Sequence, residues 1–525
     1  MEASATVDMG CGVFGELREL EPSSIHRFVL GEDEAPRKLS ADDAAAELGD
    51  PFATLLLIPG TFPRTAIETL EALDQVTAED DPLRQQMSFI VGEASQEPDP
   101  SISARGLRLL VTRGGSREDG PDIAISVFSP EQADGVELMA WDRASGGFNY
   151  YRTSGSEGAW VFAGNSLHAV LEGTEGNGPF ESHPSGNIVM KELKTPWINW
   201  DSPAAHIFAS AFQEEDPRRE HPWFVNKEGN GAITLEAAVA RPSIKRWTRA
   251  RFDRIAAANG VVERPARILE QILTTRTANL VSSHIEQSVA SANPIDLPST
   301  FFVDQDALVI LGLPLPPTFF VSGAIYSAAV ESFGVHMDDS ASFNRPGDTH
   351  FCFLVPERAS EDIEVVRAAR DIGLVSDRLA ACLLMVDFPN PVFSARREAL
   401  MTHVPEQATI TNGASTFSEE MANAIVASPE ALVEGSPQSE FAGHWGAEDA
   451  WRERFATLLS AYYEAVQKKL SDQAAFDDYF RLAESRRALF RKFPIGREFP
   501  LLFAQSDVLF EDRAMQADGT VVTRS

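Results

Sequence analysis

The residue with the most chemical promise in this sequence is a histidine in the segment Gly178-Pro179-Phe180-Glu181-Ser182-His183. The segment follows the C-x-x-C-H frame of covalent haem attachment, with Pro179 and Ser182 where the frame needs its two cysteines. Covalent attachment is therefore excluded. Met190 follows seven residues on, and a Met–His pair can ligate haem without a covalent link. The same region holds Glu192, Asp201, His206 and His221. Imidazoles and carboxylates at such density can bind a divalent metal or exchange protons near neutral pH. The spacing matches no known ligand pattern, and the plainer role of each histidine is a loop side chain bonded to backbone. His183, His206 and Glu192 are the catalytic candidates.

A second group is cationic. Arg241, Lys245, Arg246, Arg249, Arg251, Arg254, Arg264, Arg267 and Arg276 face only Asp253, Glu263 and Glu270, nine minus three, or +6. A guanidinium grips carboxylate or phosphate through two parallel N–H bonds, so Arg246 and Arg249 are candidates for binding a small anion. The alternative is that they pair with the protein's own carboxylates. A third group, His336, Asp338 and His350, has the composition of a two-histidine, one-carboxylate metal site, though its Gly/Pro/Asn surroundings suit turn formation equally. A fourth segment runs from Leu383 through Asp387 and Pro389-Asn390-Pro391 to Arg396-Arg397, an apolar run that ends on a carboxylate at a proline corner. It reads as a structural corner in which an arginine partners Asp387.

Local signatures of the common enzyme classes are missing. There is no P-loop, no G-x-S-x-G elbow, no H-E-x-x-H and no E-x-x-H. Gly10-Cys11-Gly12-Val13-Phe14-Gly15 fits G-x-G-x-x-G, but no clear strand precedes it and no βαβ alternation follows, so it reads as a turn.

The elements that must position these groups change in character along the chain. Ser40 reads as a helix cap with Gly49 closing the helix, Phe52 to Ile58 as a buried strand, and 65–76 as an amphipathic helix. From 86 to 163, six short runs rich in β-branched and aromatic residues alternate with turn residues, the pattern of an antiparallel meander with a tight hairpin at Gly146-Gly147. After about 233 helical spacing dominates. Thr416 and Glu419 suggest a capping box, helices are expected at about 447–470 and 473–491 as an antiparallel pair, and the last ten residues read as frayed.

The fold class is α+β: a β-rich domain over 1–165, a loop-rich connection over 166–232 and a helical domain over 233–525. The formal net charge of −33 over 525 residues disfavours nucleic acid and anionic membranes as partners. Three cysteines and no visible secretory signal point to the cytoplasm. The leading functional expectation is an enzyme acting on a small anionic substrate, with a histidine-centred site between the halves. Its cofactor is open, a divalent metal or non-covalent haem being conceivable. The rival is a non-catalytic helical interaction or scaffold protein. The oligomeric state is not readable.

Overall fold

The computed structural model describes residues 20–91, 108–127, 136–154, 159–188, 229–230, 232–257, 260–275, 278–281, 283, 293–340, 343–347, 352–491 and 505–524. These fall into two compact units. Described residues up to 188 and from 229 to 250 form the first; those from 251 to 491 and from 505 to 524 form the second.

The first unit is built on one sheet. Its strands are β1 (Ser24–Arg27), β2 (Arg37–Lys38), β3 (Gln86–Val91), β4 (Arg108–Arg113), β5 (Ile123–Val127), β6 (Glu137–Asp142), β7 (Gly147–Ser154), β8 (Ala159–Asn165) and β9 (Gly229–Asn230). They lie in the order β2-β1-β8-β7-β6-β5-β4-β3-β9. From β3 to β8 each strand pairs antiparallel with the next, the meander that the alternating runs imply. β1 joins β8 in parallel and β9 joins β3 in parallel. The β6–β7 turn is set by Asp142, whose Oδ1 accepts N–H bonds from Ala144 (2.9 Å) and Ser145 (3.1 Å), with Gly146 at φ 58° where a side chain would be strained.

One face of this sheet is covered by α1 (Ala41–Glu47), α2 (Ala66–Val76) and the turns between them. Ser40 and Asp43 form the capping box that starts α1, and Leu48 rather than Gly49 closes it. Residues 51–58 are helical, not the strand the apolar run suggests: a wide turn over Ala53–Leu57 follows Pro51-Phe52. The cause is Asp50-Pro51. Asp50 Oδ1 accepts the Ala53 N–H (3.0 Å) and Pro51 takes the first helical position, where it loses no bond. Phe52, Ala53, Leu56 and Leu57 then share one buried face. Asp50 is itself fully buried, its Oδ2 receiving Asn149 Nδ2 (2.8 Å) and the Tyr151 hydroxyl, and burial pushes its carboxyl pKa upward.

The second unit is mostly helical. After α3 (Arg241–Ala257) come α4 (Ala266–Leu273), α5 (Gln305–Leu311), α6 (Gly323–Ser332), α7 (Ser360–Asp371), α8 (Asp377–Leu384), α9 (Phe417–Val426), α10 (Pro437–Trp445), α11 (Trp451–Lys469) and α12 (Gln473–Arg491). Among the described residues five two-stranded ladders join them: β10 (Val261–Val262) with β17 (Ala408–Thr409), β11 (Ala278–Val281) with β16 (Val355–Arg358), β12 (Ile295–Leu297) with β13 (Phe319–Val321), β14 (His336–Ser340) with β15 (Phe343–Pro346), and β18 (Arg513–Met515) with β19 (Val521–Thr523). With the large sheet in one unit and most of the helices in the other, the fold is α+β.

Two local expectations are corrected here. Thr416 does not cap α9. Its hydroxyl donates to Glu420 (2.6 Å), and Ser415 Oγ accepts the Phe417 N–H instead (3.2 Å). The C-terminus is a packed hairpin, with Met515 buried. It lodges between α11 and α12: the Tyr462 hydroxyl reaches Met515 Sδ (2.8 Å) and the Tyr479 hydroxyl donates to Gly519 O (3.0 Å). A Cβ at Gly519 (φ 74°) would stand 3.2 Å from that Tyr479 oxygen and 3.4 Å from Val466 N, so only glycine fits this turn without a shift.

Leu459 on α11 is fully buried and lines a small cavity of about 20 Å³ with Leu308, Met385 and Phe388. Leu459→Ala should destabilise the second unit by about 2–5 kcal/mol in urea unfolding. Leu459→Asp, which buries a carboxylate in apolar surroundings, should abolish its cooperative transition. An unchanged melting profile for the Asp variant would remove α11 from the core.

Candidate functional site

On the sheet face opposite α1 and α2, strands β6 and β7 present Trp141, Phe148 and Tyr150. The chain after β8 folds back over these rings. Ser166 Oγ accepts the Phe148 N–H (2.8 Å) and donates to Gly186 O (2.6 Å), which pins the returning loop to the strand. At Gly186 (φ 72°) a Cβ would lie 2.5 Å from Ser166 O. Phe180 meets Tyr150 edge-on at 5.3 Å. The Tyr150 hydroxyl donates to Asn187 O (3.0 Å), and His183 Nδ1 is 3.0 Å from the same carbonyl, with its ring 5.5 Å from the Tyr150 ring. A carbonyl accepts only, so Nδ1 carries the proton in this bond.

Helix α3 closes the same face. Trp247 is buried, and its Nε1 donates to Ser185 O (2.8 Å), two residues from His183. Arg246 lies 4.2 Å above the Trp141 ring, and its Nη2 donates to Asp122 Oδ1 (2.9 Å). Burial lowers its pKa and the adjacent Asp122 works against that shift. Arg143, which is exposed, approaches the other Asp122 oxygen at 3.5 Å. Arg249 reaches Asp119 at 2.9 Å with both side chains half-exposed. His183, Arg246 and Arg249 are thus brought together within the first unit. Arg246 and Arg249 both donate to carboxylates of the β4–β5 turn region.

The remaining candidates are placed as follows. His206, Glu192 and His350 lie outside the described residues, as do Met190, His221 and the glycine motif at 10–15. His336 sits in β14, exchanging backbone bonds with Gln505 and turning Nδ1 to Gly334 O (2.8 Å). Asp338 pairs with Asn344 across the same ladder. Among the described residues no three His, Cys, Asp or Glu side chains converge into a metal-binding group.

The sequence pattern gives no hint of one charged cluster. Arg27 Nε and Nη2 reach Glu47 and Glu32 at 2.5 Å each, and Nη1 reaches Asp33. His168 Nε2 joins Glu32 at 3.2 Å. Burial lowers the His168 pKa, against the pull of Glu32. Four of these residues lie between positions 27 and 47, but His168 comes 141 positions after Arg27, so no local pattern marks its membership.

The proline corner at 386–394 is densely hydrogen-bonded. Asp387 (φ 54°) and Phe393 (φ 52°) both occupy the left-handed region, which is costly for side chains of this size. Asp387 accepts from Asn390 Nδ2 (2.7 Å) and Ser394 Oγ (2.6 Å), with Arg524 at 3.7 Å. Arg397 does not bind this carboxylate. It is buried and donates to the carbonyls of Val386, Asp387, Asn390 and Pro391 at 2.7–3.2 Å. Glu440 of α10 receives the Asp387 N–H (3.1 Å) and Arg396 Nη2 (2.7 Å), with His444 3.8 Å away. Burial raises the Glu440 pKa, but His444, Arg396 and the Asp387 N–H outweigh it and the net shift is downward.

A depressed carboxylate pKa contributes stability that is present above the ordinary carboxylate range and lost as pH falls through the lowered value. Glu440→Gln should lower stability by about 1–3 kcal/mol at neutral pH and flatten the acid side of the stability profile below about pH 4.5. An equally steep acid limb in the variant would separate Glu440 from the corner. At the other locus, Asp122→Ala strands the buried Arg246 and should cost about 3–5 kcal/mol, whereas Asp119→Ala beside the exposed Arg249 should cost under about 1 kcal/mol. Urea unfolding of the two variants measures the contrast, and equal effects would mean that Arg246 does not depend on Asp122.

No known protein family, no curated protein and no solved structure matches this chain.

Proposed function

We propose that this chain is a non-catalytic interaction protein whose helical unit offers an acidic, apolar-tipped surface to a cationic partner protein. One observation carries the reading: Leu432 and Val433 are 89% and 58% exposed on a loop that is itself fixed. Ser436 Oγ donates to Glu430 O (2.6 Å), Val433 N to Glu430 O (3.0 Å) and Arg396 Nη1 to Gly435 O (2.8 Å). A preformed apolar tip loses little conformational freedom on binding. Glu430 and Glu434 flank it, and the −33 net charge would steer a basic partner toward it. The same charge argues against nucleic acid. Among the described helices none is long and apolar enough to cross a membrane. A cytoplasmic location suits Cys352 and Cys382, both buried and in no disulfide, the latter's thiol pushed up to about 12 by burial and hence unreactive.

A second reading keeps the enzyme. It is favoured by the meeting of the His183 loop with the basic helix on one face, and by the exposed guanidinium of Arg143 and half-exposed guanidinium of Arg249, which could draw a small anion. The interaction reading ranks first because Arg246 and Arg249 already hold internal carboxylates.

Selection of a random-peptide display library against the full chain tests the proposal. Enriched binders should be rich in Lys/Arg and apolar residues, and should lose at least about tenfold in affinity, roughly 1.4 kcal/mol, to Leu432→Asp or to Glu430→Lys with Glu434→Lys. A selection whose binders are indifferent to all three substitutions would overturn it.

A further inference from the structure

The C-terminal hairpin is joined to the second unit as a bound peptide would be. Among the described strands β18 and β19 pair only with each other, so no ladder ties them to the rest of the fold. The turn between them closes on itself: the Gln516 N–H donates to Thr520 O (2.8 Å), the Gly519 N–H to Gln516 O (2.9 Å), and Asp518 Oδ1 accepts the Thr520 N–H (2.9 Å). Of residues 511–524 only Ala514, Met515 and Gly519 are buried. Side chains of the surrounding elements meet the hairpin backbone. Asn390 Oδ1 accepts the Met515 N–H (2.9 Å) and its Nδ2 donates to Met515 O (2.8 Å). Ser485 Oγ on α12 accepts the Arg513 N–H (3.1 Å), and the Tyr479 hydroxyl donates to Gly519 O (3.0 Å). The hairpin returns one charged contact to the corner: Arg524 donates to Phe393 O (3.3 Å) and lies 3.7 Å from Asp387. Backbone bonds for affinity, with a buried side chain as anchor, are the means by which proteins hold extended peptides.

The seat keeps partners of its own without the hairpin. The Tyr462 hydroxyl has one proton and two acceptors, Met515 Sδ (2.8 Å) and Phe302 O (3.0 Å), so loss of Met515 leaves it the carbonyl. Asn390 retains Asp387 Oδ1 through Nδ2 (2.7 Å) and Arg486 Nη2 through Oδ1 (3.2 Å). Asp387 gives up only the contact with Arg524 and keeps Asn390 and Ser394. The Tyr479 hydroxyl, covered by Gly519, would open to water. Departure of the hairpin therefore spares these seat groups the penalty of a buried, unsatisfied donor or acceptor. We propose that the seat between α11, α12 and the proline corner is a peptide-recognition site, that hairpin 511–524 is its resident ligand, and that the same segment of a second copy of the chain is the partner that replaces it. Met515 is the anchor and Gly519 the point of closest approach.

Fluorescence anisotropy of a labelled synthetic peptide of residues 511–525, titrated with the full chain, tests this. In the unaltered chain the tethered hairpin competes with the peptide at a high effective concentration. Met515→Lys in the full chain puts a cation on the anchor and frees the seat, so this variant should bind the peptide at least about tenfold more tightly than the unaltered chain does. The same peptide carrying Met515→Lys should bind neither. Gly519→Ala, whose Cβ would stand 3.2 Å from the Tyr479 oxygen, is the milder variant and should act in the same direction. Both variants should keep a cooperative unfolding transition in urea, and Leu432→Asp should leave peptide binding unchanged. Three results would each overturn the proposal. One is a peptide bound no more tightly by the variants than by the unaltered chain. Another is binding indifferent to the peptide's own Met515→Lys. The third is loss of the cooperative transition in both variants, which would make the hairpin part of the core and not its ligand.

Discussion

The second unit depends on one buried guanidinium. Arg397 sits within the proline corner and supplies N–H donors to four carbonyls that the turn leaves without strand or helix partners. Removing such a charge from water costs several kcal/mol, and its pKa is pushed down to about 10, so it still carries its charge at neutral pH. Around this fixed point the rest is arranged. Arg486 of α12 donates to Phe301 O, Pro389 O and Asn390 Oδ1. The Asn390 side chain bonds Met515 through both its oxygen and its nitrogen, as a strand neighbour would. The end of α8, the corner, α12, the turn at 299–302 and the C-terminal hairpin therefore converge on two arginines. The left-handed conformations of Asp387 and Phe393 persist because these bonds over-determine them.

What the sequence made legible follows from the range of the interactions. The meander of the first unit was readable because alternation and turn residues are local, and so were α2, α11 and α12, whose apolar stripes repeat within a few residues. The run 52–58 was ambiguous by period alone, and Asp50-Pro51 decided it; that pair was the missed signal. The terminal hairpin was illegible because what orders it, Asn390, Tyr462 and Tyr479, lies between 40 and 125 residues away. The same holds for the candidate site. A basic helix with interleaved aromatics could be seen, but not that Arg246 meets a carboxylate 124 residues earlier in the chain. The loop histidine was visible; the bond that sets its tautomer, to Asn187 O, became visible only with the fold of the loop.

The two sites nominated by charge differ for a physical reason. At the first, Arg249 and Asp119 meet at the surface, where water screens them and exchange with an external anion costs little, while Arg246 and Asp122 are buried beside them. At the corner the same residue types are sealed, and any ligand would have to displace backbone carbonyls from guanidinium groups. That sealing makes the corner a support of the second unit.

Charge distribution bears on the proposed interaction surface from another direction. Among the described residues eight arginines are buried, Arg27, Arg113, Arg246, Arg251, Arg358, Arg397, Arg486 and Arg487, and no lysine. Eight carboxylates are buried with them, Asp50, Asp122, Asp142, Glu236, Glu357, Glu361, Asp362 and Asp387. Arginine suits the interior because its planar fork distributes donors over several carbonyls, as at Arg397 and at Arg358, whose Nη2 bonds both Gln271 O and Ile272 O at the end of α4. The buried charges of the described residues balance, eight against eight, so the excess of acid lies outside this interior. Such an excess destabilises the compact state by self-repulsion. A basic partner at the Leu432 tip would relieve that repulsion.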